Sequence, residues 1–171
     1  MTAMTFFAQA KDKSGANSSS YPAHGTMINA GVGVSNWGLP IFAGVDFFVS
    51  DMVSAGAIAG FSVKKQNIGT YSGKYTLMGG GVRGNYHIGK RWKNTPKNTD
   101  LYLGLNLGYY SLSYKDNNGN KLTGAGIVNS VLALGAQVGA RYYFSKNLAG
   151  LAEIGGGAGI SGLRLGITYQ L

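Results

Sequence analysis

Hydrophobic and polar side chains alternate at every second position through most of the chain. At 132–143, for example, the even positions are aliphatic or aromatic, whereas the odd positions include Gly, Gln and Arg. A period of two is the pattern of a β-strand, whose successive side chains point to opposite faces. The alternation predicts eight strands, at about 26–35, 41–49, 53–63, 75–88, 101–110, 132–143, 148–157 and 163–171.

The lengths of these segments favour an antiparallel, up-and-down barrel. No stretch approaches the roughly 18 apolar residues of a membrane-spanning helix, but each segment is close to the ~9–11 residues with which a tilted strand crosses a bilayer. An even number of strands is typical of such barrels. The connections expected between the strands are Ser35–Leu39, Ser50–Met52, Lys64–Lys74, Gly89–Asp100, Lys115–Gly126, Ser145–Asn147 and Ala158–Ser161.

Ionisable residues in the strands follow the same parity. All of them fall on the set of positions that also holds glycine and polar residues: Asp46, Arg83, His87, Arg141, Glu153 and Arg164. Turning the aliphatic set inward would overpack the narrow lumen of eight strands and leave an exterior of glycine with hardly any charge. We therefore predict an all-β, eight-stranded antiparallel up-and-down transmembrane β-barrel, with aliphatic side chains against lipid and charges inside.

Composition agrees with this picture. Charged residues make up only 12% of the chain, about half the share in a soluble domain. The absence of cysteine excludes disulfides and thiolate chemistry. A net charge of +9 raises the question of nucleic acid, but no basic helix or RNA-binding aromatic motif accompanies it, so we expect no nucleic-acid partner.

The amino-terminal segment reads as a processing region. Met4-Thr5-Phe6-Phe7 is apolar, and Ala8-Gln9-Ala10 has the small-x-small pattern of a cleavage site. We interpret 1–10 as a signal-peptide remnant, 11–24 as a polar linker and 25–171 as the barrel. A frayed, mildly apolar terminus is the alternative for 1–10.

Aromatic residues gather near the predicted strand ends, as expected at lipid headgroup boundaries. One group contains Phe47, Phe48, Tyr86, Trp92, Tyr142, Tyr143, Phe144 and Tyr169. The other contains Trp37, Tyr71, Tyr75, Tyr109, Tyr110 and Tyr114.

With its cleavage-like site, alternating strands and final strand, the chain resembles the small eight-stranded outer-membrane barrels of the OmpA/OmpX kind. The last strand is similar to their assembly signal, although that family usually ends in Phe and this chain ends in Leu. The resemblance implies the outer membrane of a Gram-negative bacterium, and it implies the barrel-assembly machinery as a partner. The residues that carry the signal are Leu163, Leu165, Ile167, Tyr169 and Leu171.

The buried charges are the first candidate site. A turn centred near Ala158 would place Glu153 opposite Arg164, with Arg141 one diagonal step away. Asp46 and Arg83 would form a second pair, although nothing local fixes their register. Because buried charges persist only when they are paired, we expect a network that plugs the lumen. A selectivity constriction for ions is the alternative.

Catalytic and cofactor motifs are weak. Gly79–Gly84 matches G-x-G-x-x-G, but the sequence that follows continues a strand rather than a helix. Neither His24 nor His87 is expected near the loop hydroxyls of Ser72, Ser111 and Ser113, so we expect no enzyme, metal or cofactor. Three functions remain in order: a structural or surface-interaction barrel with a filled lumen, a narrow porin-like channel for small or hydrophobic solutes, and a lipid A-modifying enzyme.

Lysines in the predicted outer loops are the second candidate site. We hypothesise that they bind the phosphates of lipopolysaccharide. The residues are Lys64, Lys65, Lys74, Lys115 and Lys121.

Overall fold

The computed structural model describes residues 24–36, 38–68, 71–89, 92, 95–116, 130–157 and 162–171. The signal-peptide remnant, all of the polar linker except His24, the Ala158–Ser161 connection and Lys121 lie outside these residues. Trp37 does so too, and Tyr71 is described only through its backbone.

Eight antiparallel strands close into one barrel in which each strand pairs with its neighbours in sequence and β1 pairs with β8. The predicted fold class is therefore confirmed. Among the residues that the structure describes, no helix is long and apolar enough to cross a membrane. The strands are β1 Thr26–Val34, β2 Ile41–Ser50, β3 Val53–Ile68, β4 Tyr71–His87, β5 Thr99–Asp116, β6 Ser130–Tyr143, β7 Leu148–Gly157 and β8 Gly162–Gln170.

Three strands are longer than the sequence pattern predicts. β3 and β4 pair without a break up to Ile68↔Tyr71, and β5 follows β4 up to Asp116. The expected Lys64–Lys74 loop is therefore wrong, because backbone hydrogen bonds continue after the apolar alternation has ended. The same correction applies to four of the lysines placed in outer loops, which lie in strands: Lys64, Lys65, Lys74 and Lys115.

The two faces of the sheet are as predicted. Leu105, Leu134 and Ile167 are 62%, 68% and 56% exposed on the outside, whereas Arg141 and Glu153 are 0% and 1% exposed inside. Apolar clusters share the lumen with the charged residues. One cluster contains Tyr143, Ala149 and Phe48, and the others contain Phe42, Ile58, Tyr102 and Leu151, and Leu77, Tyr110, Ala133 and Leu112.

Inward-facing glycines make room for these large lumen side chains. The ring of Tyr102 lies where a Cβ on Gly139 would be, directly across the β5–β6 ladder. Asn85 and Gln137 occupy the corresponding space at Gly104. Because the glycines leave this space free, a few large side chains fill the lumen instead of many medium-sized ones.

Part of the aromatic prediction is wrong. Phe48, Tyr110 and Tyr143 pack inside the barrel, and Tyr75 and Tyr114 pair on the inner parity of β4 and β5. Each of these aromatic residues has the same parity as a buried residue on its strand. Parity, and not closeness to a strand end, therefore decides which face the ring occupies. Of the aromatic residues in that prediction, those exposed on the outside are Phe47, Tyr86, Trp92, Tyr109, Tyr142, Phe144 and Tyr169.

Candidate functional site in the charged lumen

The middle of the lumen holds a balanced set of buried charges. Three carboxylates and three guanidiniums are each 5% exposed or less: Asp46, Asp100, Glu153, Arg83, Arg141 and Arg164. His87 is fully buried beside them. Isolated charges in such a setting are strongly unfavourable, so their pairing decides whether the barrel is stable.

Asp46 on β2 is the main acceptor. It receives hydrogen bonds from Arg83 Nε at 2.7 Å and Arg83 Nη2 at 2.5 Å, a two-point contact, and from Asn29 Nδ2 at 2.9 Å. Gly56 lies between Asp46 and Arg83, paired with both, and its missing side chain lets the two meet across β3. Such two-point contacts are among the strongest in proteins.

Glu153 on β7 holds the opposite side. It accepts Tyr102 Oη at 2.5 Å and Arg83 Nη1 at 3.2 Å. It stands directly opposite Arg164, with Nε and Oε2 3.1 Å apart. Neither of those two atoms has a hydrogen bond of good geometry, so their attraction is coulombic.

Arg141 on β6 lies diagonal to Glu153 as expected, but its ion pairs in the described residues are with other carboxylates. Its Nη1 donates to Asp100 Oδ2 at 2.9 Å, its Nη2 donates to Asp46 Oδ2 at 3.3 Å and its Nε donates to Thr168. The guanidinium also lies 4.2 Å from the centre of the Tyr102 ring. Arg141 is therefore satisfied by strands β2, β5 and β8, far from it in sequence.

Ser54, His87 and Asp100 form a chain that the sequence did not reveal. The His87 ring nitrogens lie 2.9 Å from Ser54 Oγ and 2.8 Å from Asp100 Oδ1. This order of groups is that of a serine-hydrolase triad. All three side chains are 0% exposed, however, and the rings of Phe48 and Tyr102 lie against His87. For hydrolysis, a substrate carbonyl must come within about 3 Å of the nucleophile. Here other side chains enclose the Ser54 hydroxyl.

Amides complete these contacts into a closed ring. Arg164 Nη2 donates to Gln137 at 2.8 Å, Gln137 donates to Asn85 at 2.9 Å, and Asn85 donates to Ser54 at 3.3 Å. We call the resulting circuit the lumen ring. In order, it runs through Asp46, Arg83, Glu153, Arg164, Gln137, Asn85, Ser54, His87, Asp100 and Arg141. Strands β2 to β8 supply its members, and Asn29 joins it from β1.

Half of the lumen ring was left out of the charge network predicted from the sequence. Asp100 was assigned to a connection, but continuing the alternation one position before Leu101 places it inside. Asn85 and His87 share the inward parity of Arg83, as Gln137 shares that of Arg141. The alternation places each of them inside, and His87 is already in the inward set of ionisable residues. The neutral Asn85 and Gln137 did not stand out among the glycines.

The remaining candidate residues lie on the outer surface or above it. The final-strand set, Leu163, Leu165, Ile167, Tyr169 and Leu171, points outward and is 46–67% exposed. Lys64 donates to the backbone oxygen of Asn36 at 2.9 Å, and Lys65, Lys74 and Lys115 are exposed. Within the described ranges, no group of three or more metal-ligating side chains occurs.

Comparisons with known proteins give structural matches only. No protein-family model matches the chain, and no curated protein matches it. The N-terminal β-barrel domain of Pseudomonas aeruginosa OprF is similar, with a TM-score of 0.57 at 15% identity over 86% of this chain and 98% of that one. This chain has the fold of the small eight-stranded outer-membrane barrels. Neisserial surface protein A has a TM-score of 0.55 at 12% identity over 85% and 94% of the two chains. Ail, the attachment invasion locus protein of Yersinia pestis, has a TM-score of 0.52 at 12% identity over 86% and 99%.

Proposed function

We propose that this protein is an integral outer-membrane barrel of a Gram-negative bacterium with a closed lumen, which acts as a structural and surface-interaction component and neither conducts solutes nor catalyses a reaction. The observation that carries this proposal is the lumen ring. An eight-stranded barrel has room for little more than its own side chains, and here that room holds paired charges together with apolar clusters.

The exterior supports a membrane location. Large apolar side chains on the outward parity are half exposed or more on seven of the eight strands, from Val32 on β1 to Ile167 on β8. Water would not favour such a continuous apolar surface, whereas lipid favours it and disfavours charge. Each Lys or Arg at the middle of that surface would cost ~2–4 kcal/mol, and the sequence places none there.

The channel alternative requires an open path, and the enzyme alternative requires an accessible nucleophile. Arg83 spans the lumen from Asp46 to Glu153, so a conducting path would have to break a two-point ion pair. Ser54 is enclosed by Asn85 and His87. These contacts favour the structural role over both alternatives.

Two kinds of partner follow from the surfaces. The outward row on β8 offers an apolar edge to the barrel-assembly machinery during insertion. Exposed lysines on the long strands β3, β4 and β5 offer positive charge to lipopolysaccharide. Both partners are part of the proposal.

Two measurements on the full chain test it. Density-gradient fractionation with a gel shift between unboiled and boiled samples should place a folded barrel in the outer membrane. In planar bilayers the protein should give no steady openings, whereas Asp46→Ala/Arg83→Ala, which removes a neutral pair from the lumen, should give small ones. Recovery in the cytoplasm, or reproducible openings of the wild type, would contradict the proposal.

A further inference from the structure

Three lysines stand side by side across the long strands. Lys65 on β3 pairs with Lys74 on β4, and Lys74 pairs with Lys115 on β5. Neighbouring strands lie about 4.8 Å apart, so three ammonium groups extend from a span of roughly 10 Å. All three residues are exposed. We call them the lysine row.

The lysine row belongs to the outer face of the barrel. Lys65 has the parity of Phe61, and Lys74 has that of Met78, both exposed outward. Lys64 has the opposite parity and is engaged with the backbone of Asn36. Among the described residues, only three of the lysines in the predicted outer-loop group therefore share one surface.

The row lacks counter-charges within the described structure. Like charges that face each other directly across strands are destabilising. The ion pairs of the described residues all lie in the lumen, and none includes a member of the lysine row. A bound anion would relieve this repulsion, because one phosphate can face two or three ammonium groups.

The row stands just beyond the usual depth of lipid headgroups, at the height of a saccharide that extends outward from them. Lys65 and Lys74 lie four residues beyond Phe61 and Met78, which is about 13 Å along the strand and roughly 10 Å above the apolar surface at a typical tilt. Headgroups extend about 5–8 Å from each side of the hydrocarbon. Thr76 and Ser113 pair with each other two residues below the row, on the same face. Their hydroxyl groups add hydrogen-bond donors for a phosphorylated sugar.

We propose that Lys65, Lys74 and Lys115 form a binding site for the phosphate groups on the saccharide portion of lipopolysaccharide. The inference rests on the proposed outer-membrane location and names the partner at this surface. Lysine suits the role because an ammonium acts as a compact charge that can serve several phosphate oxygens.

The test compares two triple variants with the same change of charge. K65Q/K74Q/K115Q removes the lysine row, whereas the control K93Q/K97Q/K146Q removes three lysines elsewhere in the sequence. Each protein is refolded in neutral detergent, and its affinity for purified lipopolysaccharide is measured with the native and the enzymatically dephosphorylated form. We expect at least tenfold weaker binding for the first variant, a change within twofold for the control, and equally weak binding of the wild type to the dephosphorylated form.

Three results would overturn the site. They are unchanged binding by K65Q/K74Q/K115Q, an equal loss in the control, or full binding to dephosphorylated lipopolysaccharide. A further arm uses phosphatidylglycerol vesicles, where equal affinity with the same lysine dependence would indicate a general anionic surface and reject the saccharide assignment. Fractionation of the wild type is measured in parallel to separate two kinds of failure. If only the binding site is wrong, the barrel is still recovered in the outer membrane. If the barrel is recovered elsewhere, the proposed function itself is rejected.

Discussion

Asp46 accepts four hydrogen bonds in the lumen, and its replacement by asparagine tests whether the lumen ring stabilises the barrel. The amide has one oxygen. If that oxygen takes the place of Oδ2, it keeps the contacts with Asn29, Arg141 and Arg83 Nη2, but the NH2 group then faces Arg83 Nε. One charged hydrogen bond is lost, worth ~1.5–3 kcal/mol, and three guanidiniums face two carboxylates. An uncompensated buried charge costs about 3–5 kcal/mol, which is the expected fall in the free energy of unfolding.

The assay is urea unfolding of the refolded barrel in lipid vesicles, followed by tryptophan fluorescence and by the gel shift. The matched control is Asp51→Asn, the same chemical change at an exposed turn position, which should alter the free energy of unfolding by less than about 0.5 kcal/mol. An effect of Asp46→Asn as small as that of the control would refute the stabilising role of the lumen ring.

A double variant separates the ion pair from simple damage to packing. Arg83→Gln alone should also destabilise, but Asp46→Asn/Arg83→Gln restores the balance of charge. We expect the double variant to lose about 1–3 kcal/mol less than the sum of the single losses. Strict additivity would mean that Asp46 and Arg83 do not stabilise each other.

Three further predictions concern the space inside the barrel, its outer surface and the buried hydroxyl. Gly139→Val should lower the free energy of unfolding by about 1–3 kcal/mol through collision with the Tyr102 ring, whereas Gly156→Ala, with nothing within 4 Å of the added Cβ, should be neutral or slightly stabilising in the same urea titration. Leu134→Arg should cost ~2–4 kcal/mol in lipid vesicles, and no loss would contradict lipid contact at that position. A fluorophosphonate probe should leave Ser54 of the folded barrel unlabelled by mass spectrometry, since the hydroxyl is enclosed, and labelling that depends on His87 would reopen the enzymatic alternative.

The parity of side chains was predictable because it depends only on neighbouring residues. A strand must turn alternate positions to opposite faces. The single buried Arg141 on β6 therefore determines which face every other side chain of that strand occupies. Strand ends follow a different rule. The apolar alternation stops near Phe61 and Met78, but the β3–β4 ladder continues to Ile68↔Tyr71. Hydrogen bonding between backbones needs no apolar side chains, and the hydropathy pattern therefore underestimates the length.

The partners within the lumen were predictable only where a short connection fixes the register. Glu153 and Arg164 lie close together in sequence on consecutive strands, and the structure has them opposite each other. Asp46 and Arg83 lie on strands separated by β3 and by a long hairpin whose register cannot be counted from its sequence. Contacts across the closed barrel, such as Arg141 with Asp46, depend on the seam between the first and last strands.

The seam between β1 and β8 has a consequence for how the protein is made. Asn29 and Thr168 share a hydrogen bond at 2.7 Å although 139 positions separate them, and Arg141 reaches Asp46 across 95 positions. Before the sheet closes, Arg141 and Asp46 are apart, and each unpaired charge disfavours transfer into hydrocarbon. For the proposed outer-membrane barrel we therefore expect closure of the sheet and insertion into the bilayer to be coupled.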